Sequence, residues 1–116
     1  MLREQPQAGG TARTEVERVW RCAACGAEVA RDRDRVPLDG AETRGFTNPD
    51  GVEYLIGGFG EAPGCTEVSG PSAYWTWFPG CAWQVSVCRG CGAHLGWRFS
   101  GAARFHGLII DRLTAP

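Results

Sequence analysis

Two short cysteine units set the frame of this chain. Cys22-Ala23-Ala24-Cys25-Gly26 and Cys88-Arg89-Gly90-Cys91-Gly92 are both C-x-x-C-G, and 62 residues separate Cys25 from Cys88. In such a knuckle the two intervening residues turn the backbone so that both thiolates face one ion. The following glycine lets backbone amides approach the sulfurs without a Cβ clash. Two knuckles together make a tetrahedral four-sulfur site with no open position, which is a structural rather than a catalytic zinc site. With so long a gap, Cys22, Cys25, Cys88 and Cys91 would clasp the two ends of a domain instead of forming a compact ribbon. A thioredoxin-type redox pair and a disulfide framework are the alternatives. The first wants a βαβ context, which the sequence lacks, and the second wants an oxidising compartment.

Compartment therefore bears on the metal. The first ten residues, Met1-Leu2-Arg3-Glu4-Gln5-Pro6-Gln7-Ala8-Gly9-Gly10, hold no apolar run of the secretory kind. No segment approaches the ~18 apolar residues of a membrane span. The sequence thus predicts a cytoplasmic protein with no membrane partner. Cys65 and Cys81 fall outside the knuckles, have no His/Asn context for nucleophilic catalysis, and read as buried or incidental thiols.

At 116 residues the chain suits one small domain, marginal in stability unless reinforced. Its 17 glycines are about twice the usual share of ~7%, and with 7 prolines they favour short strands joined by many turns over a helical bundle. Residues 1–17 are polar and aperiodic and read as a flexible tail; residues 18–116 form the domain. Glu15 to Trp20 is a candidate first strand. The alternating charges of Arg31-Asp32-Arg33-Asp34-Arg35 read as a solvated turn or short helix start. Asn48-Pro49-Asp50-Gly51 is a turn signal, leading into a strand over Val52–Ile56. Residues 57–64 read as a flexible glycine-rich connection, not a phosphate loop. Trp83, Val85 and Val87 alternate onto one strand face, as do Leu95, Trp97 and Phe99, and Phe105 to Asp111 is apolar enough for a central closing strand.

Four of the five tryptophans, Trp75, Trp77, Trp83 and Trp97, lie within 23 residues; Trp20 stands apart and reads as core. Indoles are awkward core fillers, since each N–H wants a partner. The cluster can be packing alone, or it can line a slot whose flat walls lose little entropy on binding. Few acids lie nearby, so a neutral ring with polar edges suits such a slot better than a cation.

The ordered motifs carry a resemblance. Trp75-Thr76-Trp77-Phe78-Pro79-Gly80-Cys81-Ala82-Trp83, then Cys88-x-x-Cys91-x-x-His94-Leu95-Gly96-Trp97-Arg98-Phe99, then Phe105-His106-Gly107-Leu108 resemble the CULT domain, the thalidomide-binding domain of cereblon. The similarity runs from about Trp20 to Leu113. It implies a mainly β fold, a β-tent of two antiparallel sheets pinned by one structural zinc on the four knuckle cysteines. It implies that Trp77, Trp83 and Trp97 wall an aromatic cage, that Phe99 closes its base, and that Asn48 and Pro49 sit on a loop covering the ligand. The guest would be a cyclic imide such as glutarimide or succinimide, or a uracil-like ring, free or at the C-terminus of a protein. The Trp75 carbonyl would accept the imide N–H and the Trp77 amide would donate to a ring carbonyl. Trp75 stands where the human-type pattern has histidine, and Tyr74 where it has an acidic residue.

Other functions fit less well. No paired acids or Ser/His/Asp arrangement suggests an enzyme, and His94 reads as a packed residue near the metal. A methionine sulfoxide reductase B-like enzyme would need a catalytic Cys after Cys91, and there is none. A zinc-stabilised nucleic-acid module is the remaining alternative, weakened by a net charge of -1 and scattered arginines. The sequence shows no helical module for a ubiquitin-ligase adaptor.

Overall fold

In the computed structural model residues 17–116 are described. Of the tail expected over residues 1–17, all but Glu17 lies outside them. Glu17 itself sits beside Arg31 at 3.4 Å and Arg33 at 3.7 Å in exposed ion pairs.

The strands are β1 (Val19–Cys22), β2 (Glu28–Arg31), β3 (Arg35–Val36), β4 (Thr43–Thr47), β5 (Glu53–Phe59), β6 (Cys65–Glu67), β7 (Cys81–Cys88), β8 (His94–Gly101), β9 (Phe105–Ile109) and β10 (Leu113–Thr114). They form two antiparallel sheets, β10-β1-β2 and β3-β5-β9-β8-β7-β6, with β4 also paired to β5. This is the expected mainly β, two-sheet architecture. The short strands follow from the glycine and proline spacing, and the chain closes on itself because β10 pairs with β1.

Two apolar clusters hold the sheets. Trp20, Val29, Phe59, Leu95, Leu108 and Leu113 are among the residues buried between them. Trp20 meets Phe59 edge-on at 5.7 Å and donates its indole N–H to Asp32 at 2.9 Å, so the isolated tryptophan is core with its polar atom satisfied. A second cluster of Leu38, Ile56 and Ile109 carries Phe46, Tyr54, Trp77, Phe78, Trp97 and Phe105 on its flank.

Several sequence expectations shift. Of the candidate first strand, Glu15 and Val16 lie outside the described residues; within them β1 begins at Val19, which pairs with Arg31 of β2. The charge run does form a short 3-10 turn, Asp32–Asp34, but it is preceded by β2, whose Val29 and Ala30 are buried. Residues 57–59 are strand, not connection. A Cβ on Gly57 would stand 2.6 Å from the Ile110 side chain, and one on Gly58 would stand 2.5 Å from the Val36 carbonyl. These glycines are there for close packing. The β7–β8 register shifts between Ser86, which pairs with Gly96, and Val87, which pairs with His94, so Leu95 is the extra residue on β8. The closing strand is central, between β5 and β8, and ends at Ile109, where a 3-10 turn over Ile110–Arg112 redirects the chain.

Candidate functional site: a four-cysteine cluster and an aromatic cavity

The knuckles close on each other where both sheets end. Cys22 ends β1, Cys88 ends β7, and all four sulfurs lie within 4.8 Å of one another. Across the two knuckles, Cys22 is 3.7 Å from Cys91 and Cys25 is 3.6 Å from Cys88. A disulfide would need about 2.05 Å, so these sulfurs are not bonded. Sulfurs placed ~2.3 Å from one tetrahedral ion stand roughly 3.8 Å apart, close to what is found. The donor set therefore fits a single soft or borderline metal ion in a closed site.

The backbone shapes both knuckles and favours the thiolate at Cys88. The Gly26 amide donates to the Cys22 carbonyl and the Gly92 amide to the Cys88 carbonyl, tight turns whose positive φ at both glycines explains the C-x-x-C-G pattern. Burial opposes ionisation of Cys88. The amides of Cys91 and Gly90 directed at its sulfur outweigh that effect and bring its thiol down to about 7. The remaining cysteines differ. Cys65 is buried and pushed up to about 12, chiefly by burial, which makes it an inert thiol. Cys81 is also buried, its sulfur 3.7 Å from the Ala103 carbonyl.

On the larger sheet lies a cavity of about 260 Å³. Its floor comes from adjacent strands: Trp83 and Val85 on β7, Trp97 and Phe99 on β8, in register as Trp83–Phe99 and Val85–Trp97 pairs. Phe99 is fully buried, stacked on Phe105 at 5.1 Å and meeting Phe78 edge-on at 4.8 Å. Tyr74, Trp75 and Trp77 enter from the segment before β7, and Asn48 and Pro49 from the β4–β5 turn. Every side chain named for the ligand site from the sequence lies on this one cavity. Two lining residues, Tyr74 and Val85, were not assigned to it. Alternation with Trp83 was the available signal for Val85.

Orientation of the walls is fixed by contacts outside the cavity. Trp77 and Trp97 meet at 4.9 Å and 79°, with Phe46 stacked on Trp77 at 5.0 Å and Tyr54 edge-on to Trp97 at 5.1 Å. Both Trp75 and Trp77 donate their indole N–H to the Thr47 carbonyl, at 3.2 and 3.0 Å, which ties the end of β4 to the segment before β7. Trp83 donates to the Tyr74 carbonyl at 2.7 Å. Asn48 Oδ1 accepts from the Asp50 and Val52 amides, and the Gly51 amide donates to the Asn48 carbonyl, so the turn is internally closed. Neither the Trp75 carbonyl nor the Trp77 amide is engaged by another described residue. His94 is no part of the cysteine cluster; it is half-buried and bonded to Gly96 and Arg112.

The comparisons with known proteins agree with the fold. No protein-family model matches the chain. It is 34% identical over 74 residues to cereblon of Danio rerio, 59% of this chain and 17% of that protein. It is 29% identical over 96 residues to cereblon of Drosophila erecta, 72% of this chain and 15% of that protein. This is a cereblon-like domain. It spans less than a fifth of the length of these relatives. In fold, the cereblon-like domain also resembles a crystal structure of the Mis18 'Yippee-like' domain, with a TM-score of 0.59, 14% identity, and coverage of 87% of this chain and 96% of that one.

Proposed function

We propose that the cereblon-like domain is a non-enzymatic binding module. It holds a small cyclic imide or uracil-like ring between Trp77, Trp83 and Trp97, while one zinc on the four cysteines supports the fold. The observation that carries this reading is the cavity itself: four indoles on one small space with no charged residue in its lining. Its volume falls below the roughly 300 Å³ at which pockets for drug-sized ligands begin, which suits a single ring. The two backbone groups without partners among the described residues, an acceptor at Trp75 and a donor at Trp77, complement the N–H and carbonyl edge of such a ring. Asn48 and Pro49 cover the mouth, and Phe99 forms its base. The indole of Trp75 is engaged by Thr47, so hydrogen bonding at this position falls to its backbone. An uncharged lining also disfavours the nucleic-acid alternative, which needs phosphate contacts. No constellation among the described residues favours a sulfoxide reductase.

Glutarimide titration followed by tryptophan fluorescence tests the reading. Saturable quenching or enhancement is expected in the parent, with at least a tenfold weaker response in Trp83→Ala. No saturable change in a folded, metal-loaded parent overturns it.

A further inference from the structure

We propose that the cysteine cluster is a site of reversible oxidation, where a hydroperoxide replaces the metal clasp by two disulfides across the knuckles, Cys22–Cys91 and Cys25–Cys88. The exchange does not depend on what the aromatic cavity holds.

The four sulfurs differ in access. Cys25 and Cys91 are exposed, whereas Cys22 and Cys88 are buried. Each contact across the cluster joins one of each kind: exposed Cys91 to buried Cys22 at 3.7 Å, and exposed Cys25 to buried Cys88 at 3.6 Å. Sulfurs that ligate a metal are thiolates, the nucleophilic form. An oxidant arriving from solvent therefore meets Cys25 and Cys91 first, and a second thiolate already stands against each. Cys65 is the rival partner, since it pairs directly with Cys88 across β6 and β7. It is buried, however, and stands outside the four-sulfur cluster.

The chemistry balances with peroxide as the only co-reactant. The exposed thiolate attacks one peroxide oxygen and the O–O bond breaks, giving a sulfenic acid and hydroxide. The buried partner thiolate then attacks the sulfenic sulfur, expels a second hydroxide and forms the S–S bond. Each sulfur pair gives up two electrons, and solvent protons turn both hydroxides into water. Two peroxides consume all four thiolates, so the metal loses its ligands. The sulfurs of each pair must close to about 2.05 Å. The resulting links join residues 69 and 63 positions apart. They keep the end of β1 tied to the second knuckle, as the metal does, and constrain the unfolded chain through long loops. Links within a knuckle would join neighbours in sequence and release the clasp.

Treating the zinc-loaded domain with a small excess of hydrogen peroxide, beside a chromogenic zinc chelator, tests this. Full release of the bound zinc is expected, with the β-sheet circular dichroism retained. Dithiothreitol added with the chelator should then unfold the domain. Trypsin cleaves after arginine, so Cys22 and Cys25 share the peptide 22–31, Cys65, Cys81 and Cys88 share 45–89, and Cys91 lies in 90–98. After remaining thiols are alkylated, non-reducing mass spectrometry should find 22–31 linked to both 45–89 and 90–98. Cys65→Ser, which leaves all four ligands in place, should give the same pattern and the same zinc release. Four results overturn the proposal: zinc retained under peroxide, sulfinic acids without disulfides, peptide 22–31 closed on itself, or a link that Cys65→Ser abolishes.

Discussion

The imidazole of His94 meets the indole of Trp97 edge-on, 4.8 Å between ring centroids and 89° between planes. Since the Gly96 carbonyl 3.0 Å from His94 Nε2 can only accept, Nε2 carries the proton. Nδ1 is then free to accept from Arg112 Nη1 at 3.4 Å, and the same guanidinium donates to the His94 carbonyl at 3.0 Å. The Arg112 carbonyl in turn accepts from the Ala23 amide inside the first knuckle, at 3.0 Å. One residue thus joins the cysteine cluster to a wall of the cavity. Arg112→Ala is expected to weaken glutarimide binding about three- to tenfold while lowering stability by only about 1 kcal/mol. Calorimetric titration and thermal melting check both; unchanged affinity shows that Trp97 is positioned without Arg112.

Metal removal should do more. The four thiolates join the end of β1 to the end of β7, and no disulfide among the described residues reinforces the domain. Structural zinc in small peptides contributes on the order of 10 kcal/mol, comparable to the whole stability of a small domain. Elemental analysis is expected to find one zinc per chain. A strong chelator, or Cys88→Ser, should unfold the domain as seen by circular dichroism. A metal-free protein with the parent melting temperature contradicts this.

How much of this was legible from the sequence depends on which atoms do the work. The cysteine site was fully legible, because C-x-x-C-G states both the ligands and the turn. The strands carrying Trp83, Trp97 and Phe105 were legible through alternation. Residues 57–59 misled because glycine signals flexibility when read locally, whereas Gly57 and Gly58 make room for Ile110 and Val36 across a sheet. The Thr47 carbonyl that holds two indoles had no signal at all, being a backbone atom whose partners lie 28 and 30 residues away. The same holds for β2, whose short apolar pair Val29-Ala30 is outweighed by the charges that follow.

Acid should destabilise the domain through His106. Burial is the main cause holding its pKa below the ordinary 6.5; the Glu67 and Glu61 carboxylates oppose it and Arg98 assists it. Its Nδ1 is buried without a hydrogen-bond partner among the described residues. The unfolded chain therefore takes up a proton as pH falls below 6.5, while the folded domain resists until its own lower pKa is reached. Stability contributed by the neutral imidazole is present above 6.5 and is lost across that window as pH falls. Since the thiolates also protonate in acid, the measurement is a comparison. Melting temperatures of the parent and His106→Gln at saturating zinc should diverge with pH, the variant showing the shallower decline below 6.5. Parallel curves would remove His106 from the account.

Gly64 ties the two halves together by its backbone. Its amide donates to the Val29 carbonyl on β2, and its carbonyl accepts from the amide of Arg89 inside the second knuckle, both at 2.9 Å. A Cβ there would lie 2.1 Å from the Glu28 carbonyl oxygen and 2.5 Å from the Val29 Cα, neither of which can rotate away. The strand and the loop must separate to admit a methyl group, and overpacking of this kind costs about 2–3 kcal/mol. Gly64→Ala is therefore expected to lower the chemical-denaturation midpoint markedly and to loosen zinc, because Arg89 lies between two ligands. Gly70→Ala is the control: a Cβ at Gly70 meets nothing within 4 Å, so its effect should stay within about 0.5 kcal/mol. If the two variants melt alike, the contact between β2 and the second knuckle does not hold the sheets together.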